Sequence, residues 1–152
     1  MAAAVVTIVA AVLILKPFIP GNGKLVLSDG DSGKIYAQYD AKEGTRFSVA
    51  FIHSVNKSEV KETYEIKEDG IYLQECLYSA FGAGVATEVE DGQTLTYTDD
   101  GKMLISGYNR KIPALSYIVG TVSDHVLEID GQEISLRELC GRNSVVHFDY
   151  EK

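Results

Sequence analysis

Apolar residues are distributed along this chain in two ways. Ala2 to Leu15 is an apolar run broken only by Thr7, and Lys16, Pro17, Phe18, Ile19 and Pro20 follow it. From Lys24 onward, apolar and polar residues alternate in short stretches, the period of a half-buried strand. Asp29-Gly30, Ser32-Gly33, Asp69-Gly70, Asp91-Gly92, Asp100-Gly101 and Asp130-Gly131 separate these stretches, and such dipeptides reach the positive φ angles of tight turns. Strands are predicted near Leu25–Ser28, Ile35–Tyr39, Arg46–His53, Glu62–Glu68, Ile71–Ser79, Thr94–Thr98, Met103–Ser106, Leu115–Val119, Val126–Asp130, Gln132–Ser135 and Val145–Asp149. Ser135-Leu136-Arg137-Glu138 reads as a capping-box helical turn. Many short strands at this spacing specify an all-β fold: an antiparallel sandwich or a partly open barrel of about nine to eleven strands.

The first segment obeys a different rule. A helix over Ala2–Ile19 would rise about 27 Å, close to the ~30 Å core of a bilayer. Lys16 would snorkel toward the headgroups, and Pro17 and Pro20 would stop the helix. Signal peptide, uncleaved single-span anchor and buried core helix are the competing readings. A signal peptide calls for a basic start and a small-x-small cleavage site. No Lys or Arg precedes Lys16, and Val12-Leu13-Ile14-Leu15 is bulky. The expectation is one N-terminal transmembrane helix in residues 1–20, then a single β domain in residues 21–152. Lys16, Lys24 and Lys34 follow the span, a weak positive-inside signal for a cytoplasmic domain.

Composition narrows the partners. The 152 residues carry 14 Lys plus Arg against 22 Asp plus Glu, a net charge of −8. So acidic a surface repels phosphate backbones, and no nucleic-acid partner is expected. Two cysteines are too few for a disulfide scaffold or a structural zinc site. Cys76 and Cys140 read either as one bridge or as two thiols.

Register arguments bring chemistry to one end of the sheet. Phe47, Val49, Phe51 and His53 share one strand face, and Glu62, Tyr64 and Ile66 share another. Matching the apolar faces sets Phe51 opposite Tyr64, Val49 opposite Ile66 and His53 opposite Glu62, on the core side. A two-residue Asp69-Gly70 loop pairs Glu68 with Ile71, Ile66 with Leu73, Tyr64 with Glu75, Glu62 with Leu77 and Val60 with Ser79. The Ser54–Lys61 loop and the Phe81-Gly82-Ala83-Gly84 loop then emerge at the same end. His125 shares a face with Leu127 and Ile129, so it points inward.

Each candidate has a sharp and a plain reading. His53, Glu62 and His125 suit zinc with an open position, hence a metal-assisted hydrolase; otherwise Glu62 simply satisfies a buried His53. Ser54 beside His53 suggests a nucleophile, but adjacent strand residues face opposite sides. Lys57, with Asn56, Ser58 and the Gly82 and Gly84 amides, would hold a carboxylate; otherwise it is a solvated loop. Arg110 and Lys111 read as surface charge. No resident metal or cofactor is assigned.

His53-Ser54-Val55-Asn56-Lys57-Ser58 with Val60 and Glu62, then Phe81-Gly82-Ala83-Gly84, then Gly120 with Asp124-His125, resembles the prokaryotic family catalogued as domain of unknown function 1850. The resemblance spans about Leu25 to Ile134. Where the family continues with methionine and proline after the second glycine, this chain has Val85 and Ala86. The resemblance implies an N-terminal anchor or signal, an extracytoplasmic location that outweighs the lysine count, and an association with TRAP transporters of the TAXI class. It implies no activity. The combined expectation is a membrane-anchored accessory or binding module outside the cytoplasm. It would use His53, Ser54, Lys57, Glu62, Phe81, Gly82, Gly84 and His125 to bind a small anionic solute or a partner protein. A metal-assisted hydrolase and a structural spacer are its rivals.

Overall fold

The computed structural model describes residues 23–79 and 89–152. The expected anchor in residues 1–20 lies outside the described residues. Among those described, no helix is long and apolar enough to cross a membrane.

The alternating segments form eleven strands among the described residues: β1 (Gly23–Asp29), β2 (Ile35–Ala41), β3 (Arg46–Ile52), β4 (Glu59–Lys67), β5 (Gly70–Tyr78), β6 (Thr94–Tyr97), β7 (Met103–Lys111), β8 (Leu115–Ile118), β9 (His125–Ile129), β10 (Gln132–Ser135) and β11 (Val145–Glu151). The capping-box turn becomes α1 (Leu136–Cys140), whose N-cap Ser135 Oγ accepts the Glu138 amide at 3.0 Å. The strands pair antiparallel into two sheets, ordered β2-β1-β11-β8 and β10-β9-β3-β4-β5-β7-β6.

The sheets face each other as a sandwich. Phe47 of β3 stacks on Phe148 of β11 across the interface, centroids 6.0 Å apart and planes at 3°. Leu25, Leu27, Val146 and Phe148 from the first sheet meet Phe47, Val49, Ile66 and Leu127 from the second, all at most 2% exposed. Burying such side chains drives the association of the two layers.

Three local features move the register away from the sequence expectation. The β3–β4 connection is shorter than the expected Ser54–Lys61 loop. The His53 amide donates to Ser58 O at 2.8 Å and the Lys57 amide to His53 O at 2.9 Å, with Lys57 at φ 55°. One residue in the left-handed region closes a four-residue turn over Ser54–Lys57. Every partner therefore shifts by four. Phe51 pairs with Val60, Val49 with Glu62 and Phe47 with Tyr64, so His53 is not opposite Glu62.

The β4–β5 loop is Glu68-Asp69, since Lys67 pairs with Gly70, not Asp69-Gly70. Gln74 is an extra residue in β5: Tyr64 faces Leu73, but Thr63 faces Glu75. Such a bulge reverses which residues point inward. Cys76, 3% exposed, thus pairs with Glu62, and Val60 pairs with Tyr78. The expected Glu62–Leu77 and Val60–Ser79 pairs do not form. The same irregularity lets β7 run on to Lys111. Gly107 has φ +84°, and a Cβ there would lie 2.5 Å from Gly92 O. Cys76 and Cys140 are unpaired.

The two ends of the sandwich differ in what they carry. Lys24 pairs with Glu151, so both the entry to β1 and the end of β11 lie at one pole. The β3–β4 turn, Asp29, and Ile118 paired with Val145 lie at the other. Ser79 N–H donates to Glu59 O at 3.0 Å, which returns β5 to that second pole. Phe81, Gly82 and Gly84 follow it and lie outside the described residues.

Phe148 spans both layers, so Phe148→Ala should cost about 3–5 kcal/mol through lost burial and a cavity. Denaturant unfolding of the two proteins measures the difference.

Candidate functional site

At the pole opposite Gly23, a cleft of about 520 Å³ opens between the β3–β4 turn and the β8–β9 loop. Four of the residues singled out by sequence line it: His53, Ser54, Lys57 and His125. The alternation that would have separated Ser54 from His53 ends with β3 at Ile52, so both reach the cleft. Glu62 does not line it.

His125 is half-buried because its strand face is the core face. It stacks on Phe51, centroids 5.1 Å apart and planes at 12°, and meets Tyr117 at 5.7 Å. Its Nδ1 accepts the Gly120 amide at 3.2 Å, which leaves Nε2 as the ring's donor. Burial holds its pKa below the ordinary 6.5, outweighing the attraction of Asp124. His53 is also oriented by backbone: its Nδ1 accepts the Val55 and Asn56 amides at 3.3 and 3.4 Å. It therefore caps its own turn without Glu62.

The β8–β9 wall is stapled to α1. Asp124 accepts the His125 and Arg137 amides at 2.7 and 3.0 Å and the Ser135 hydroxyl at 2.5 Å. Burial works to raise its pKa, but these hydrogen bonds win and lower it. The Arg137 guanidinium donates to Gly120 O at 3.3 Å. A Cβ on Gly120 would lie 2.2 Å from Ser123 O, so the tight approach of this loop requires glycine there.

Glu62 belongs instead to a polar clamp between the sheets. Tyr117 OH donates to its Oε2 at 2.5 Å, Tyr64 OH lies 3.0 Å from the same oxygen, and the two hydroxyls are 2.6 Å apart. Burial, and then the neighbouring negative charge, push both phenol pKa values up, so both remain donors. Among the described residues no group of His, Cys, Asp and Glu side chains is arranged to hold a metal; His53, Glu62 and His125 in particular do not converge. Burial also pushes the Cys76 thiol up to about 11, which makes it a poor nucleophile at neutral pH. Lys111 pairs with Asp69 at 2.7 Å and Arg110 lies 5.6 Å over the Tyr108 ring, both away from the cleft.

Sequence reasoning missed the apolar part of the site. Phe51 lines it and packs on Tyr117, centroids 5.9 Å apart, while Ile118 and Val122 stand in solvent at 64% and 93% exposure. Ile52 adds to this apolar rim at 38%. The available signal was a pair of β-branched residues flanking Gly120 just before Asp124-His125.

Two outcomes follow from these contacts. Tyr117→Phe removes one donor from a half-buried carboxylate and should cost about 1–3 kcal/mol in unfolding free energy. Because His125 has a lower pKa folded than unfolded, the unfolded chain binds more protons between the two values. Its contribution is therefore complete above 6.5 and is lost as the pH falls through 6.5 toward the folded value. An NMR titration should give His125 ring resonances a midpoint below 6.5, and His125→Gln should remove that part of the acid destabilisation.

The geometry can be compared with known proteins. No curated protein and no solved structure matches the chain. The family model described as Domain of unknown function (DUF1850) matches residues 47–136. That span runs from Phe47 of β3 to the first residue of α1 and contains every residue lining the cleft. It covers more than half of the 152 residues, and the chain belongs to the DUF1850 family.

Proposed function

We propose that this protein is a membrane-anchored extracytoplasmic binding module, associated with a TRAP transporter of the TAXI class. Its end cleft takes a small anionic solute or the carboxylate of a partner protein. One observation carries the reading. The chain has a net charge of −8, yet among the described residues not one Asp or Glu lines the cleft. Lys57 lines it and makes no ion pair among the described residues. A cation at a cleft without acids makes that cleft a positive spot in an acidic protein, the potential that complements an anionic ligand.

The topology supports the anchored arrangement. β1 starts at Gly23, at the pole away from the cleft, and its seven residues extend about 20 Å. A membrane helix in residues 1–20 would thus hold the cleft away from the bilayer, open to solutes in the aqueous compartment.

Thermal unfolding of the full chain in lipid nanodiscs, with acetate, succinate, citrate or benzoate present, tests the reading. At ten times Kd a ligand should stabilise by about 1.4 kcal/mol, a rise of roughly 4 °C in Tm for a domain of this size. Lys57→Ala with His125→Ala should abolish the rise. No shift with any carboxylate, together with no retention of the transporter's solute receptor on the immobilised chain, contradicts the proposal.

A further inference from the structure

The composition of the cleft constrains its ligand more narrowly than charge sign alone. Among the described residues Lys57 is the one permanently charged side chain lining it. His125 is no second cation, because it stacks against Phe51 and its Nδ1 already accepts the Gly120 amide. Around this single positive charge the surface is apolar. Phe51 forms the floor, and Ile52, Ile118 and Val122 form walls that are open to water. Exposed aliphatic groups bordering a concave site signal that something apolar covers them. The polar groups that remain belong to Ser54, Thr121, Ser123 and His53, whose Nδ1 already accepts the Val55 and Asn56 amides.

We infer that the cleft selects an amphiphilic monocarboxylate, with its single carboxylate at Lys57 and a branched or aromatic body over Phe51 between Ile118 and Val122. This inference rests on the binding reading above and specifies its ligand class. A dicarboxylate would leave its second charge against Ile118 or Phe51, desolvated and unpaired. A neutral isostere would fill the walls but leave Lys57 unmatched. The volume of about 520 Å³ falls within the ~300–1,000 Å³ of small-molecule sites.

The test is calorimetric titration of the full chain in lipid nanodiscs with 4-methylpentanoate, adipate and 4-methylpentanamide, which share a six-carbon skeleton size and differ in charge. Phenylacetate serves as a second monocarboxylate. The two monocarboxylates should bind at least tenfold more tightly than adipate or the amide. Lys57→Asn, which keeps a residue suited to the left-handed region at the turn, should bring the acid down to the affinity of the amide. Val122→Asp, at a side chain 93% exposed, should weaken both monocarboxylates at least tenfold without lowering Tm. Adipate binding as tightly as 4-methylpentanoate, with both affinities still dependent on Lys57, would overturn the ligand class and leave the binding reading standing. Binding of no probe, or binding indifferent to both substitutions, would overturn the ligand class, and no retention of the solute receptor beside it would overturn the binding reading as well.

Discussion

Tyr117 is the contact on which the site depends. It sits in β8 of the four-stranded sheet and reaches across to the seven-stranded one. Its ring packs on Phe51, His125 and Phe148 at 5.9, 5.7 and 5.8 Å. Its hydroxyl meets Tyr64 and Glu62 at 2.6 and 2.5 Å. One side chain thus closes the apolar core on one flank, satisfies a half-buried carboxylate on another, and packs on Phe51 and His125, two residues that line the cleft. Aromatic contacts fix the spacing of the two layers while the hydrogen bonds fix their register, because a buried acceptor tolerates little displacement.

The cleft follows from where this packing stops. Beyond Tyr117 the chain leaves the sheet at Ile118, and beyond Phe51 it turns at His53, so neither layer caps the other there. Backbone amides hold both imidazoles, and α1 holds the β8–β9 wall through Asp124 and Arg137. These are supports that do not need a ligand in order to form. Preorganisation of this kind lowers the cost of binding, since little ordering remains when a solute arrives. The clamp at Glu62 lies inside the sandwich and keeps its negative charge out of the cleft, which leaves Lys57 to set the sign.

The strand inventory was legible because period-2 alternation and Asp-Gly punctuation are local. All eleven expected strands are present, with ends moved by at most a few residues except in β7. Register was less legible, because it depends on single residues that the alternation does not mark. Lys57 in the left-handed region shortened one hairpin, and the Gln74 bulge reversed the faces of half of β5. The four-residue shift preserved parity, which is why Glu62 kept its inner face while losing His53 as its neighbour. His53, Ser54, Lys57 and His125 were found together because the shared sheet end survives any even shift. Ile118 and Val122 escaped notice because aliphatics at or just beyond a strand end look like ordinary core residues until the opposing layer is seen to end.

The central claim is that ligand binding occurs at this one end of the sandwich and is directed by Lys57. Backbone amide NMR of the full chain in lipid nanodiscs, with and without phenylacetate, reads the location directly. The account predicts shift changes concentrated in residues 51–57 and 118–125, with the outer face of β3, β4 and β9 around Lys61 and Glu128 unmoved. Changes centred on that outer face, or an unperturbed spectrum at saturating ligand, would contradict it.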